Sequence, residues 1–113
     1  MNSFKVEGST KLSGDITPQG AKNEALQVLC AVLLTKEEVI IENVPEIIDV
    51  LRLIDLLKYI GVEVNKLAKN KYSFRSHSID LNKLNSDSYN DKAKGLRGSI
   101  MIIGPLLSRF GKA

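Results

Sequence analysis

The segment with the clearest chemical potential lies near the N-terminus, where an apolar helix is predicted to begin behind a glycine. Residues 18–23 read PQGAKN, so Lys22 and Asn23 fall in the first turn of that helix. The free N–H groups and the dipole of a helix N-terminus attract anions, and they disfavour a cation unless an anion offsets it. Lys22 therefore predicts an anion site, with the Asn23 amide as a further donor or acceptor. A surface lysine that happens to lie near a helix start is the competing interpretation.

A second segment combines glycine with a basic residue at the start of the last apolar stretch. Residues 94–99 read KGLRGS. The planar guanidinium of Arg97 suits a carboxylate or a phosphate, and Gly98 permits close approach of the backbone. An arginine that is solvated beside a turn is the alternative interpretation.

The remaining reactive residue types argue against several classes of site. One cysteine excludes an internal disulfide and a Cys-rich zinc site, and one histidine excludes a cluster of several histidines around a metal. The sequence also lacks a GxGxxG motif, a Walker loop and an HExxH motif. We therefore expect no metal and no cofactor. Cys30 is expected to pack within a helix, and His77 is expected to face solvent from a polar loop.

The distribution of charge leaves a polyanionic partner open. Residues 1–57 contain 5 Lys/Arg and 9 Asp/Glu, a net charge of −4, whereas residues 58–113 contain 11 and 4, a net charge of +7. Tyr72 and Phe74 alternate with basic residues, as in strands that stack RNA bases. A solvated basic face and two core aromatics are the favoured interpretation, and a non-catalytic RNA-binding module is the alternative.

Length and composition indicate one small domain or a piece of a larger one. The chain has 113 residues, of which 43% are hydrophobic, too many for a disordered chain. No apolar run reaches the roughly 18 residues that span a bilayer, and the N-terminus lacks the apolar stretch of a secretory signal. We therefore expect a cytoplasmic protein without a membrane partner.

The elements that would position the candidate residues follow from hydrophobic periodicity. The pattern predicts short strands at 4–7 and 11–17, a buried helix over 21–34 and a strand buried on both faces over 39–44. A helix over 51–58 follows, with Asp49 as N-cap and Gly61 as the C′ residue, and then a hairpin of 62–67 and 71–75. The rest is predicted as a loop over 76–92 with a short strand near 79–81, and a helix over 96–107 that Pro105 would bend or end. This order indicates a mixed α/β (α+β) fold with helices backing a sheet. The last helix is more apolar than so small a sheet requires, so we expect a chain cut short of its natural end that self-associates.

Taken together, these segments resemble the N-terminal part of the UDP-N-acetylglucosamine 1-carboxyvinyltransferases of the enolpyruvyl transferase family. The matching motifs keep their order along nearly the whole chain: Val6-Glu7-Gly8, Leu12-Ser13-Gly14, Gly20-Ala21-Lys22-Asn23-Glu24-Ala25-Leu26, Asn43-Val44-Pro45, Asp49-Val50, Leu96-Arg97-Gly98-Ser99-Ile100, Gly104-Pro105-Leu106 and Arg109-Phe110-Gly111. The resemblance implies part of an inside-out α/β barrel built from βαβαββ units. It also implies that residues 1–18 form strands of the C-terminal domain, whereas residues 19–113 form an incomplete first domain.

The activity that the resemblance implies is transfer of the enolpyruvyl group of phosphoenolpyruvate to the 3-hydroxyl of UDP-N-acetylglucosamine, with release of phosphate. This reaction is the first committed step of peptidoglycan synthesis. Lys22 and Asn23 match the pair that contacts phosphoenolpyruvate and the sugar substrate, and Arg97 matches an arginine that helps to hold the UDP-sugar. The family's mobile loop with its cysteine or aspartate would lie beyond Ala113, so the fragment alone is expected to be inactive. The related 3-phosphoshikimate 1-carboxyvinyltransferases have Lys-Ser where this chain has Lys22 and Asn23, which argues against that alternative.

Overall fold

The computed structural model describes residues 2–94 and 96–111, and the side chains of residues 97–99 are outside that description. The described elements are four α-helices, α1 (Lys22–Ala31), α2 (Ile48–Tyr59), α3 (Asp87–Ala93) and α4 (Ile103–Phe110), three β-strands, β1 (Glu38–Ile41), β2 (Glu63–Ala68) and β3 (Lys71–Arg75), and 3-10 segments at Val32–Leu34, Leu81–Asn85 and Arg97–Ile102. None of the helices in this part of the chain has both the length and the apolar character needed to cross a membrane.

The three strands form one antiparallel sheet in the order β1-β3-β2. Phe74 of β3 lies between Val39 of β1 and Val64 of β2, and this apolar face joins the core formed with the helices. The mixed α/β class is therefore confirmed, and so is the predicted hairpin of β2 and β3. Asn70 closes that hairpin in a left-handed conformation, with φ of 61°. The inside-out barrel remains a prediction.

Helix α2 is the best-buried element of the fold. Val50, Leu53, Leu56 and Leu57 are all fully buried, as expected for an amphipathic helix that packs with one face inward. The helix ends as predicted, because Gly61 adopts φ of 116° and its N–H donates to the Lys58 carbonyl at 3.1 Å. This left-handed C′ position favours glycine, since a Cβ would be strained there.

The predicted N-cap of α2 is wrong. The helix begins at Ile48, so Ile47 occupies the N-cap position and Asp49 lies within the first turn. Ile47 makes no side-chain cap hydrogen bond. The Asp49 carboxylate instead contacts a side chain from another helix, and this contact is a tertiary feature that the local pattern does not contain.

The two short N-terminal strands predicted at 4–7 and 11–17 are absent, because residues 2–21 contain no strand. Their apolar side chains are almost fully exposed: Phe4 95%, Val6 88%, Leu12 88% and Ile16 92%. Alternation marks a segment that can pair, but a strand forms only where a neighbouring edge supplies its hydrogen bonds. Pairing of residues 1–18 with a C-terminal domain stays a prediction.

Two elements are less buried than their sequences suggested. Strand β1 was expected to be buried on both faces, yet Ile40 is 52% exposed because it lies on the opposite face of the sheet from Val39 and Phe74, which join the core. Helix α1 was expected to be buried all round, yet only Leu26, Leu29 and Cys30 are buried. A continuous apolar run shows that a segment can be buried. It does not show how many neighbouring elements pack against that segment.

The polar stretch over 76–92 was predicted as a loop with a short strand, and that prediction is wrong. The Asp80 side chain accepts a hydrogen bond from the N–H of Asn82 at 3.0 Å and starts a 3-10 segment. The Ser86 hydroxyl accepts from the N–H of Tyr89 at 3.1 Å and starts α3. The side-chain oxygens of aspartate and serine accept nearby backbone N–H groups both in turns and at helix N-caps. A polar composition alone therefore does not distinguish a loop from a helix start.

The last apolar stretch is divided rather than continuous. A 3-10 segment over Arg97–Ile102 leads into α4, where a single helix had been predicted over 96–107. Pro105 lies in the first turn of α4, where a missing N–H removes no intrahelical bond, so it neither bends nor ends the helix. Arg109 connects α4 to the 3-10 segment at Val32–Leu34, because its Nη1 donates to the Leu33 carbonyl at 3.0 Å.

Candidate functional site

The N-terminal turns of α1 and α2 meet through an ion pair. Lys22 is the first residue of α1, and its Nζ lies 2.5 Å from Oδ2 of Asp49 in the first turn of α2. Neither helix has a side-chain cap, since Ala21 and Ile47 occupy the two N-cap positions. The Asp49 carboxylate is thus the anion that offsets the charge of Lys22 in this structure.

A close backbone contact sets where α1 begins. Gly20 lies against the carbonyl of Asn43, in the connection between β1 and α2, with no space for a side chain. Pro45 is buried beside it and leads the chain into α2. Because the residues before α1 and the residues before α2 touch, the first turns of the two helices are held as neighbours.

The ion pair is open to solvent. The side chains of Lys22 and Asp49 are 48% and 39% exposed. The hydrogen bond from Lys22 lowers the pKa of the Asp49 carboxyl, and the positive charges of Lys22 and Arg52 act in the same direction. An ammonium group carries three N–H donors, so a contact with one carboxylate oxygen leaves donors that can reach a bound anion.

Asn23 lies beside Lys22 in the first turn of α1, and both residues are exposed. The predicted pair is therefore presented together at the surface. A cavity of about 380 Å³ lies nearby, but its polar wall includes Glu24 and Glu42 and does not include Lys22. Its negative charge makes it a poor place for an anionic ligand, so the ammonium of Lys22 is the better centre for such a ligand.

Arg97 opens a 3-10 segment that packs against α1. The backbone of the second predicted segment is thus next to the helix that carries Lys22 and Asn23. The side chain of Arg97 lies outside the described residues, and its role toward a UDP-sugar stays a prediction.

The other reactive and aromatic residues noted in the sequence are Cys30, His77, Tyr72 and Phe74. Cys30 is buried, as predicted, and burial raises the pKa of its thiol to about 12, which disfavours a reactive thiolate. His77 is exposed, as predicted, with Nδ1 4.0 Å from Glu63. Tyr72 and Phe74 are buried core aromatics, as the favoured interpretation predicted, so these two rings are not exposed for stacking on RNA bases. Within residues 2–94 and 96–111, no three His, Cys, Asp or Glu side chains gather into an arrangement that could hold a metal ion.

Sequence reasoning did not predict the ion pair between Asp49 and Lys22. The signal was available in part, since a lysine in a helix first turn favours a nearby anion and Asp49 was predicted to lie near the start of the next helix. What the sequence lacked was the packing of α1 against α2, which brings the two residues together.

Comparison with known proteins identifies the family of the chain. The chain is a member of the EPSP synthase (3-phosphoshikimate 1-carboxyvinyltransferase) family, whose model matches residues 6–113. Among its curated relatives are proteins of Bacteroides fragilis, 53% identical over 113 residues, Porphyromonas gingivalis, 45% identical over 113 residues, and Wolinella succinogenes, 36% identical over 112 residues. All three relatives are named UDP-N-acetylglucosamine 1-carboxyvinyltransferase, which confirms the resemblance drawn from the motifs.

The matches cover 99–100% of this chain but only 26% of the length of each of these relatives. The chain therefore spans about a quarter of the proteins it resembles. Lys22, Asn23 and Asp49 all lie within the matched part, and so does Arg97.

Proposed function

We propose that the full-length protein carrying this segment is a carboxyvinyl transferase. It would move the enolpyruvyl group of phosphoenolpyruvate to the 3-hydroxyl of UDP-N-acetylglucosamine and release phosphate. The observation that carries the proposal is the exposed pair of Lys22 and Asn23 at the start of α1, in a chain matched over its whole length by relatives with that name.

Each predicted site residue has a chemical role in this proposal. The ammonium of Lys22 stabilises anionic charge on phosphoenolpyruvate as addition and elimination proceed. The amide of Asn23 donates to or accepts from phosphoenolpyruvate and the sugar. The guanidinium of Arg97 suits the phosphate oxygens of the UDP group, where a planar fork pairs well.

The proposed reaction defines a place in the cell. Its product would enter peptidoglycan synthesis in the cytoplasm, so the protein would contribute to the cell wall, cell shape and cell division. The proposal needs only small-molecule substrates, with no cofactor, nucleic acid or membrane partner.

The domain arrangement is part of the proposal. Residues 1–18 would form strands of the C-terminal domain, and residues 19–113 would form most of one wall of the substrate cleft. The exposed apolar side chains of the N-terminal segment support this arrangement, because a partner strand and its sheet would bury them.

The nearest alternative is transfer of the same group to shikimate 3-phosphate. The family takes its description from that reaction, but the three relatives described above are named for the UDP-sugar reaction. Asn23 also favours the UDP-sugar, as the motif comparison indicated.

The test is a phosphate-release assay of the purified full-length protein with phosphoenolpyruvate and each acceptor in turn. We expect release with UDP-N-acetylglucosamine and background release with shikimate 3-phosphate. The 113-residue chain alone should stay at background with both acceptors. Release with shikimate 3-phosphate only would establish the alternative, and release with neither would overturn the proposal.

A further inference from the structure

We propose that Asp49 is a positioning residue, which holds the Lys22 ammonium over the N-terminus of α1 where the anionic group of phosphoenolpyruvate would bind. This inference rests on the proposed function. It assigns to Asp49 a role that acts through Lys22 and not through direct contact with the substrate.

The first argument is the stiffness of the element that carries Asp49. Val50, Leu53 and Leu57 of α2 are all fully buried, so the first turn of this helix is anchored by the core. Lys22, in contrast, has a long side chain that is 48% exposed and loses much conformational freedom when it is ordered. The contact of 2.5 Å between Nζ of Lys22 and Oδ2 of Asp49 therefore restricts the lysine side chain to the position set by α2.

The second argument is electrostatic. The α1 dipole repels the Lys22 ammonium, so an isolated lysine here would extend toward solvent when no ligand is bound. Asp49 offsets that repulsion, and its own charge is favourable in the first turn of α2. Arg52 is the further cation that acts on Asp49, and it lowers the carboxyl pKa in the same direction as Lys22 does. The carboxylate therefore stays ionised and the ammonium stays in place.

The third argument concerns compatibility with a ligand. Asp49 contacts Lys22 through Oδ2, and an ammonium has three N–H groups to distribute. An incoming anion can therefore bind the lysine without first breaking the pair. If the Asp49 carboxylate had to leave Lys22 before an anion could bind, it would lower the affinity for that anion. Because the pair can stay intact, Asp49 instead holds the lysine ready for the anion.

A plain surface ion pair makes a different prediction. Exposed pairs contribute little to stability, and removing one would leave both the melting temperature and the activity nearly unchanged. A positioning role predicts that the melting temperature is retained while the use of phosphoenolpyruvate is lost.

The experiment compares Asp49→Ala, Asp49→Asn, Lys22→Ala and the Asp49→Ala/Lys22→Ala double variant in the full-length protein. Asp55→Ala is the matched control, because Asp55 is an exposed carboxylate on the same helix. Steady-state kinetics are measured with each substrate varied in turn, together with thermal melts.

We expect Asp49→Ala to lower kcat/KM for phosphoenolpyruvate by about tenfold, the scale of ordering one long side chain. Asp49→Asn keeps an oxygen that accepts from Lys22 and should recover part of that loss. Asp55→Ala should match wild type, and no single variant should shift the melting temperature by more than a few degrees. In the Lys22→Ala background, Asp49→Ala should add less than about a twofold loss, because two residues that act as a unit are not additive.

Three results would overturn this inference alone: wild-type kinetics in Asp49→Ala, a full additional loss in the Lys22→Ala background, or a loss that follows unfolding. If the wild-type protein does not use phosphoenolpyruvate, the proposed function fails, and the inference fails with it. Activity of the wild type with both substrates separates the two cases.

Discussion

A Cβ atom added to Gly20 would overlap the carbonyl oxygen of Asn43 and would lie 3.0 Å from the ring of Pro45. Real side chains do not approach a backbone oxygen so closely, so the two segments would have to separate. This contact joins the connection before α1 to the connection before α2. The placement of Lys22 beside Asp49 therefore depends on a residue that carries no functional group.

The first prediction is that Gly20→Ala destabilises the chain by about 1–3 kcal/mol, the usual cost of forcing atoms into a filled space. Gly8→Ala is the control, because a Cβ at Gly8 would meet nothing within 4 Å. Urea unfolding of the two variants beside wild type measures the difference. Equal stability of Gly20→Ala and Gly8→Ala would mean that the contact relaxes without cost.

The second prediction concerns Lys22 in the full-length protein. Lys22→Ala should reduce the use of phosphoenolpyruvate by about ten- to a hundred-fold, since it removes a charge-assisted contact to the anion. Its melting temperature should change little, because the pair with Asp49 is exposed. Lys22→Arg should not restore activity fully, because a planar fork differs from a compact ammonium. Activity within a few-fold of wild type in Lys22→Ala would make Lys22 an ordinary surface lysine.

The third prediction concerns acid stability through Glu46. Its carboxylate accepts the N–H of Asn70 at 2.9 Å and pairs with Lys66 at 3.0 Å, so it ties the β2–β3 turn to the segment before α2. The Asn70 hydrogen bond is the main cause of a lowered Glu46 pKa, and Lys66 adds to it. A depressed folded-state pKa stabilises the fold above the unfolded-state value, about 4.3, and this contribution is lost as the pH falls through the folded-state pKa.

Melting temperatures measured from pH 6 to pH 3 test this prediction. Glu46→Gln should lower the melting temperature at pH 6 and should flatten its decline in acid, because glutamine does not titrate. Glu37→Gln, an exposed position before β1, is the control and should follow wild type. Parallel curves for wild type and Glu46→Gln would exclude Glu46 as a source of acid sensitivity.

The fourth prediction concerns Arg109, which connects α4 to the segment that follows α1. Its Nη1 donates to the carbonyls of Leu33 at 3.0 Å and Thr35 at 3.3 Å. Arg109→Ala should cost about 1.5–3 kcal/mol, the scale of a hydrogen bond from a charged group, and should increase amide exchange in α4. Arg52→Ala removes the same charge from an exposed position and should leave α4 protected. Unchanged exchange in Arg109→Ala would show that α4 is held by its apolar face alone.

The fifth prediction concerns association of the 113-residue chain. Four apolar side chains of the last 3-10 segment and α4 are 42–66% exposed: Ile100, Met101, Ile103 and Leu107. An exposed apolar patch promotes association. Sedimentation velocity should show oligomers whose population rises with concentration, and Ile103→Lys/Leu107→Lys should reduce them. A monomer with a sharp melt would contradict both the association and the expectation of an incomplete domain.

The elements that sequence predicted well are those whose signals are local. The β2–β3 hairpin needs only two alternating runs and a short polar turn, and α2 needs only its apolar spacing and Gly61. The order of motifs along the chain was sufficient to recognise the family, since that order is itself a property of sequence. Lys22 and Asn23 were selected for the same reason, because a cation in a helix first turn is visible without coordinates.

What tertiary structure decided is the set of partners. Sequence placed Asp49 at the wrong position of α2, and only the packing of α1 against α2 brings its carboxylate to Lys22. Apolar runs in β1 and α1 looked fully buried, but the number of covering neighbours left Ile40 and Val28 exposed. A strand or an ion pair forms only when another segment supplies the second half of the interaction. Its free energy therefore depends on residues far away in the chain, and a local pattern cannot report it.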